Sequence, residues 1–339
     1  MKRGNATKQR AAFTRVVVLK NPASTQIRLA ERHVAEIATL LPEAPVTVME
    51  TAATAAETYA RLRKHAHKLG PRTLLCIAGG DGTVNRAVEF LLGDDSLSAA
   101  ARRTPILPLW AGNANDLAHM ANGPVFRTRL PALFAAAQIV AVYPLVCTLT
   151  DGDGPVQTYR AASYASFGVT GAMARELNDS GHRKSWWRRL PGSRFIGEIV
   201  TMARTFLGSN GFTLEEHGST QSVHERSYVN GTRMAKLQPL AANLTEKYFV
   251  QTTVGKQHRH LFALWRWLVG NMRPAPARKA SHASTFIAKD TIWMQVDGEP
   301  VRVQKNTRVT VKCSQRPLYV FSTRLKLSSP KKPPSHKKQ

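Results

Sequence analysis

Thr73-Leu74-Leu75-Cys76-Ile77-Ala78-Gly79-Gly80-Asp81-Gly82-Thr83-Val84-Asn85 is the stretch whose reading decides the fold. TLLCIA is an uninterrupted apolar run ending in glycines, the pattern of a strand buried on both faces. Gly79-Gly80-Asp81-Gly82 breaks that pattern, and Thr83–Leu92 resumes with helical spacing. Upstream, Arg15–Lys20 reads as another strand ending at Asn21-Pro22, Ile27–Leu41 as a helix, Pro45–Met49 as a short β run and Ala52–Leu69 as an Ala-rich helix. Downstream, Pro105–Leu109 reads as a fourth strand. Strands alternating with helices imply an α/β domain with a parallel sheet covered on both faces. Ligands of such sheets bind at the carboxyl ends of the strands.

After about Tyr143 the pattern changes. Val156–Phe167, Ser227–Asn230, Tyr248–Val254, Thr291–Val296, Val301–Val303, Arg308–Cys313 and Leu318–Ser322 are short β-rich runs between turn residues, and Arg194–Leu207 is the clearest helix. This half reads as mainly antiparallel, a sandwich or open barrel. The expected division is 1–144 for the α/β domain, with 1–13 basic and flexible, and 145–327 for a β-sandwich domain. The Pro/Lys-rich tail 328–339 is expected to be disordered.

Composition narrows the partners. Of 339 residues, 48 are Lys or Arg and 22 are Asp or Glu, a formal charge of +26. Hydrophobic residues make up 43%, too many for a disordered polycation. No apolar run approaches the roughly 18–20 residues of a membrane span. Met1–Arg10 is basic without the apolar centre of a signal peptide, and Cys76, Cys147 and Cys313 lack metal spacing, so buried thiols in a reducing cytoplasm are expected. The charge leaves three partner classes: nucleic acid, an anionic membrane or a small anion.

Gly79–Thr83 between strand and helix suits a phosphate, because glycines permit close approach and the helix start offers unpaired N–H groups. Asp81 would repel a bare polyphosphate, so it implies a bridging cation or a sugar hydroxyl. A plain capped turn accounts for the loop equally well in isolation. A Walker A loop is excluded, since no Gly-Lys-Ser/Thr follows. A second loop, Trp110-Ala111-Gly112-Asn113-Ala114-Asn115-Asp116, also follows a strand and opens a helix. Two such loops on successive strands would share one crevice, which favours a nucleotide site. Late in the chain, Val296-Asp297-Gly298-Glu299 between β runs is the signature of a type I′ hairpin turn.

Together, GGDGT followed by Asn85, the G-x-A-N-D loop and Val296-Asp297-Gly298-Glu299 resemble the diacylglycerol kinase catalytic-domain family, which includes bacterial lipid kinases and the sphingosine and ceramide kinases. The resemblance runs from Asn21-Pro22 to about Ser322, with Ser166-Phe167-Gly168 in family order. It implies an NAD kinase/diacylglycerol kinase-like fold, an α/β nucleotide domain followed by a β-sandwich. It further implies that Gly79, Gly80, Asp81, Gly82 and Thr83 hold ATP, with Asn21 and Thr51 as further nucleotide contacts. Gly112, Asn115 and Asp116 would line the cleft, Asp81 and Asp116 would meet Mg²⁺, and Asp297 would be the general base. Gly298 and Glu299 complete that motif, so Asp297, Glu299 and Asp81 form the implied catalytic set.

Some positions depart from the family pattern. Thr25 stands after Ser24 where glycine is usual, and Arg86 follows Asn85 where glutamate is usual. In Pro239–Lys247, Ala242 and Thr245 replace aspartates that hold a structural Mg²⁺ in several bacterial members, so that second metal is not expected. Basic residues flank tryptophans in His182–Arg189, with Trp186 and Trp187, and in Lys256–Lys279, with Trp265 and Trp267. Such segments suit the surface of an anionic bilayer, where each Lys or Arg adds roughly 1 kcal/mol; a solvated basic face with core tryptophans is the plainer reading. Leu261–Val269 is too short to span. The expected protein is therefore an ATP- and Mg²⁺-dependent kinase acting on a lipid hydroxyl, diacylglycerol first, at the inner face of the cell membrane. A kinase for another lipid alcohol (sphingoid base, ceramide or phosphatidylglycerol) comes next, then a membrane-binding pseudokinase. NAD kinase ranks lower for want of the second loop, and specific nucleic-acid binding ranks last. A homodimer is compatible with all of these.

Overall fold

The computed structural model describes residues 13–112, 115–152, 154–178, 200–201, 203–231, 243–255 and 278–325. The first part alternates: β1 (Arg15–Lys20), α1 (Ile27–Leu40), β2 (Val46–Glu50), α2 (Ala55–Lys64), β3 (Thr73–Ala78), α3 (Asp81–Gly93), β4 (Ile106–Pro108), α4 (Asp116–Asn122), α5 (Leu130–Ala136) and β5 (Gln138–Val142). Next come β6 (Leu145–Thr150), β7 (Gln157–Ala161), β8 (Tyr164–Gly168) and the helix α6 (Val169–Asn178). Strands then dominate: β9 (Phe212–Glu216), β10 (Ser219–Val223), β11 (Glu225–Val229), β12 (Phe249–Val254), β13 (Arg278–Ser281), β14 (Ala283–Ala288), β15 (Ile292–Val296), β16 (Glu299–Val303), β17 (Arg308–Cys313) and β18 (Leu318–Ser322).

The first sheet has the order β2-β1-β3-β4-β18-β5. Its apolar runs are continuous because both faces are covered. Val17, Leu19, Leu75 and Ile77 pack with Val88 and Leu91 of α3. Val16, Val18, Leu74 and Cys76 face the other way, onto Ala30 and Ile37 of α1 and onto Trp110. Helix α2 starts on a capping box between Thr54 and Glu57, which satisfies two backbone N–H groups.

The remaining strands form two antiparallel sheets, β10-β9-β14-β17-β6-β7 and β13-β12-β11-β8-β15-β16. Strict alternation along β6 (LVCTLT) buries Leu145, Cys147 and Leu149 between them. Phe167 stands edge-on to Tyr228 and Phe286, with centroids 5.8 and 5.2 Å apart. Helix α6 lies on the second of these sheets, against β15 and β16. Cys76, Cys147 and Cys313 are buried free thiols.

Three features differ from the sequence reading. Leu318–Ser322, expected in the sandwich, is a strand of the first sheet, inserted between β4 and β5, so the chain does not divide into two consecutive pieces at 144. Asn122 and Ser322 stitch it there: Asn122 Nδ2 donates to Phe321 O at 3.2 Å and Ser322 Oγ to Ala121 O at 2.6 Å. The first sheet is mixed rather than wholly parallel, because β5 runs antiparallel to β18. Helix α3 begins at Asp81, two residues before the expected Thr83, because the glycine loop ends at its N-cap Gly80. Of the expected helix 194–207, residues 194–199 and 202 lie outside the described residues, and 200–201 and 203–207 are helical. The basic Trp segments around 186–187 and 265–267, the N-terminal residues 1–12, residues 239–242 and the tail 328–339 also lie outside them.

Candidate active site

The glycine loops meet backbone to backbone. A Cβ on Gly112 would overlap the Gly80 Cα, and a Cβ on Gly80 would lie 3.2 Å from the Gly112 Cα. Only glycines allow that approach. Asn115 sits in the left-handed region at φ 52° and closes its own loop, accepting from Gly112 N at 2.7 Å and donating to Gly112 O at 2.7 Å. Gln26 braces the same loop by donating to Gly112 O at 3.1 Å.

Asp81 joins the two loops. Its carboxylate accepts from Asn115 N at 2.9 Å and from Asp116 N at 2.8 Å. The sequence reading expected this side chain at the nucleotide or its metal; the fold gives it a bridging position between the loops. Burial, followed by the charge of Asp116, pushes its carboxyl up to about 6. On the first loop, Asn21 Nδ2 donates to Thr83 Oγ1 at 3.2 Å, bringing Asn21 to the Gly79–Thr83 turn. Thr51 follows β2 and donates its N–H to Lys20 O at 2.8 Å. Beside it, Arg86 donates to Ala52 O at 3.3 Å, tying α3 to the segment entering α2.

The opposite wall comes from the β15–β16 hairpin. Val296 pairs with Glu299, and Asp297 and Gly298 have φ 47° and 88°, the two positive values of a type I′ turn. The turn aims the Asp297 side chain inward. Its carboxylate accepts the N–H groups of Ala162, Ser163 and Tyr164, the latter two at 3.1 Å, while Asp297 N donates to Tyr164 O at 3.1 Å. Asn178, the last residue of α6, donates to Gly298 O at 2.9 Å. Hairpin turn and inward carboxylate are thus one feature.

Asp297 is 4% exposed, and burial raises its carboxyl to about 7 against the opposing effect of the three amides. A carboxylate has about four lone-pair positions. Three amide bonds leave one of them on Oδ2, so a group ionising near neutrality keeps a position from which to accept a proton. Tyr164, which carried no signal in the sequence, is buried beside these acids. Its phenol is held protonated by burial and then by the charges of Asp116, Asp297 and Asp81. Glu299 reaches from the hairpin to the glycine loop, where it occupies the space a Cβ on Gly82 would need.

The fold therefore brings Asn21, Gly79, Gly80, Asp81, Gly82, Thr83, Gly112, Asn115, Asp116, Asp297 and Glu299 together where the two glycine loops face the β15–β16 hairpin, while Thr51 is tied to the end of β1 through Lys20. Sequence reasoning missed Gln26, Tyr164 and the amides of 162–164. The last carry no side-chain signature at all. In the segment 243–246, where the sequence reading expected no second, structural metal, Asn243 Oδ1 accepts from Thr245 N at 3.2 Å and Thr245 Oγ1 at 2.9 Å, and Asn243 Nδ2 donates to Glu246 at 3.1 Å. Among the described residues no three His, Cys, Asp or Glu side chains converge as a metal site, and no helix is long and apolar enough to cross a membrane.

Residues 15–141 match the diacylglycerol kinase catalytic domain. Among curated proteins no sequence matches the chain. Among solved structures, a diacylglycerol kinase from Bacillus anthracis str. Sterne is 14% identical, with 91% of this chain and 97% of that chain covered at a TM-score of 0.63. A second structure from the same organism, named there as a candidate diacylglycerol kinase, is 13% identical over 91% and 98% at the same TM-score of 0.63. At those identities the likeness is one of fold: an α/β domain with a largely parallel sheet, followed by antiparallel sheets.

Proposed function

We propose that this chain, which carries a diacylglycerol kinase catalytic domain over residues 15–141, transfers the γ-phosphoryl group of ATP to a lipid hydroxyl, with diacylglycerol as the first candidate acceptor. The observation that supports this most is Asp297: a buried carboxylate ionising near 7, with one lone-pair position left, close enough to the glycine loops to feel the charge of Asp81. Phosphoryl transfer needs positioning, charge neutralisation and a group to take the acceptor's proton. Asp297 takes the hydroxyl proton, the hydroxyl oxygen bonds to the γ-phosphorus, and the bond to the bridging oxygen breaks to release ADP. The loops at Gly80 and Gly112 give the phosphates close approach to backbone, with Asn21 and Thr83 beside them.

Asp81 and Asp116 fit Mg²⁺, since the charge of Asp116 adds to burial in making the Asp81 carboxyl harder to ionise, a crowding of negative charge that a hard cation would relieve. Mg²⁺ bound there would neutralise phosphate charge. Membrane attachment through the basic segments around Trp186-Trp187 and Trp265–Trp267 belongs to the same reading, as does a place at the inner membrane face.

The test is incubation with γ-labelled ATP, Mg²⁺ and separate vesicles carrying diacylglycerol, a sphingoid base, ceramide or phosphatidylglycerol, with NAD as a further acceptor. Label in phosphatidic acid, lost in Asp297→Asn, supports the proposal. Label in another lipid changes the acceptor, label in NAD overturns the lipid reading, and vesicle binding without label in any acceptor marks a pseudokinase.

A further inference from the structure

Helix α3 starts at the site with Asp81 and then runs along the antiparallel half. Gly82 is covered by Glu299 of β16. Gly93, about three turns further along, is covered by Arg160 of β7: a Cβ there would lie 2.6 Å from Arg160 Nη1. Between them stands Glu89, whose carboxylate accepts the backbone N–H of Arg160 and, at 2.9 Å, its Nη1. The two side chains are 18% and 21% exposed. Arg160 is two residues from Ala162, the first of the three amides that hold Asp297. Residues 160–164 are therefore suspended between two carboxylates, Glu89 of α3 at one end and Asp297 at the other.

We propose that Glu89 and Arg160 are positioning residues: their two hydrogen bonds set the place of Asp297 relative to the nucleotide loops at the start of α3. The inference rests on the kinase reading above. Asp81 and Glu89 lie on one rigid helix, so whatever fixes residue 160 to Glu89 fixes the amides of 162–164 relative to Asp81. Beside the pair is a cavity of about 180 Å³ lined by Tyr59, Arg63, Phe90 and Asp94 as well as Glu89 and Arg160. That space gives β7 room to shift when the pair is broken, without the helix or sheet having to unfold. A displacement of about 1 Å in a reacting group costs on the order of 100-fold in rate.

The experiment compares wild type with Glu89→Gln, which keeps one acceptor and loses the charge, and Gly93→Ala, which displaces the guanidinium and leaves every charge in place. Three quantities are read: kcat for lipid phosphorylation, the dissociation constant of a non-hydrolysable ATP analogue, and hydrogen exchange at the amides of Ala162, Ser163 and Tyr164. Both variants are expected to lower kcat by about 10–100-fold, to leave nucleotide affinity within about twofold, and to speed exchange at 162–164 while β3 stays protected. Exchange at 162–164 equal to wild type overturns the clamp, and so does a loss of nucleotide affinity matching the loss of kcat. If wild type phosphorylates no lipid, the kinase reading fails, and the exchange measurement still decides whether Glu89 holds these amides. If Glu89→Gln does not fold, Gly93→Ala carries the test.

Discussion

The carboxylate of Asp81 caps the backbone N–H of Asp116, 2.8 Å away on the next strand-to-helix loop, and the charge of Asp116 in turn makes Asp81 harder to ionise. The two glycine loops are one unit, held by a side chain that both needs to be an anion and resists becoming one.

Asp81→Ala is expected to leave the amides of Asn115 and Asp116 without their acceptor, a cost of about 1–3 kcal/mol in unfolding free energy. Because the second loop depends on that bridge, ATP affinity should fall by at least about tenfold. Denaturant unfolding and nucleotide titration check the two parts. A titration curve superimposable on wild type removes Asp81 from nucleotide binding.

Asp297 must be ionised to accept a proton, and its carboxyl is pushed up to about 7. The rate of transfer should therefore rise with pH through about 7 and level off above it. Asp297→Asn should lower kcat by roughly 100- to 10,000-fold, the range of general-base catalysis, with nucleotide affinity retained. Turnover near the wild-type rate in that variant rejects the base assignment.

Gly112→Ala places a methyl group on the Gly80 Cα, and backbone on both sides prevents simple relief. A loss of about 1–3 kcal/mol is expected, with Gly80→Ala milder because its Cβ would lie 3.2 Å from the Gly112 Cα. Thermal melts of the two variants give the order. If Gly80→Ala is the more damaging, the back-to-back contact is not what the glycines serve.

Glu225, the first residue of β11, is buried against the start of α6, accepting from Thr170 N at 3.1 Å and Ser227 Oγ at 3.0 Å, and burial pushes its carboxyl up to about 7. Its unfolded value is roughly 4.3. Between those values the folded state holds more protons, so the stability this group contributes is complete below the unfolded pKa and is lost as pH rises through the folded one. Glutamine does not titrate. The melting temperature of Glu225→Gln minus that of wild type should thus be more positive at pH 8 than at pH 5, and an equal gap at both pH values refutes the assignment.

Much of this was readable in one dimension. TLLCIA between polar neighbours is a buried strand in any context, and Val296-Asp297-Gly298-Glu299 encodes its own turn, because positive φ at two successive positions suits very few residue pairs. The glycines at 79, 80 and 112 were legible as close-approach positions, although what Gly80 and Gly112 approach is each other's backbone, and what Gly79 meets is the Thr83 side chain. The run Leu318–Ser322 was legible as a strand and not as a member of the first sheet. Its alternation carries no address, and its partners in the sheet, Ile106 and Val140 beside Val320, lie far away in the chain.

Glu89 had no motif to announce it, yet Gly82, Arg86, Glu89 and Gly93 follow helical spacing on α3, a stripe of two glycines and two charges that marks a contact face. Tyr164 and the amides of 162–164 had no comparable signal. By itself the sequence determined the local structures and the residue types that could do chemistry, because turns, caps and buried runs depend on neighbours within a few positions. Tertiary structure alone decided that Asp297 is gripped by three amides, that Asp81 bridges two loops, and that Glu89 reaches Arg160. Those relations depend on backbone groups common to every residue and on contacts between distant segments, which exist only once the sheets have packed.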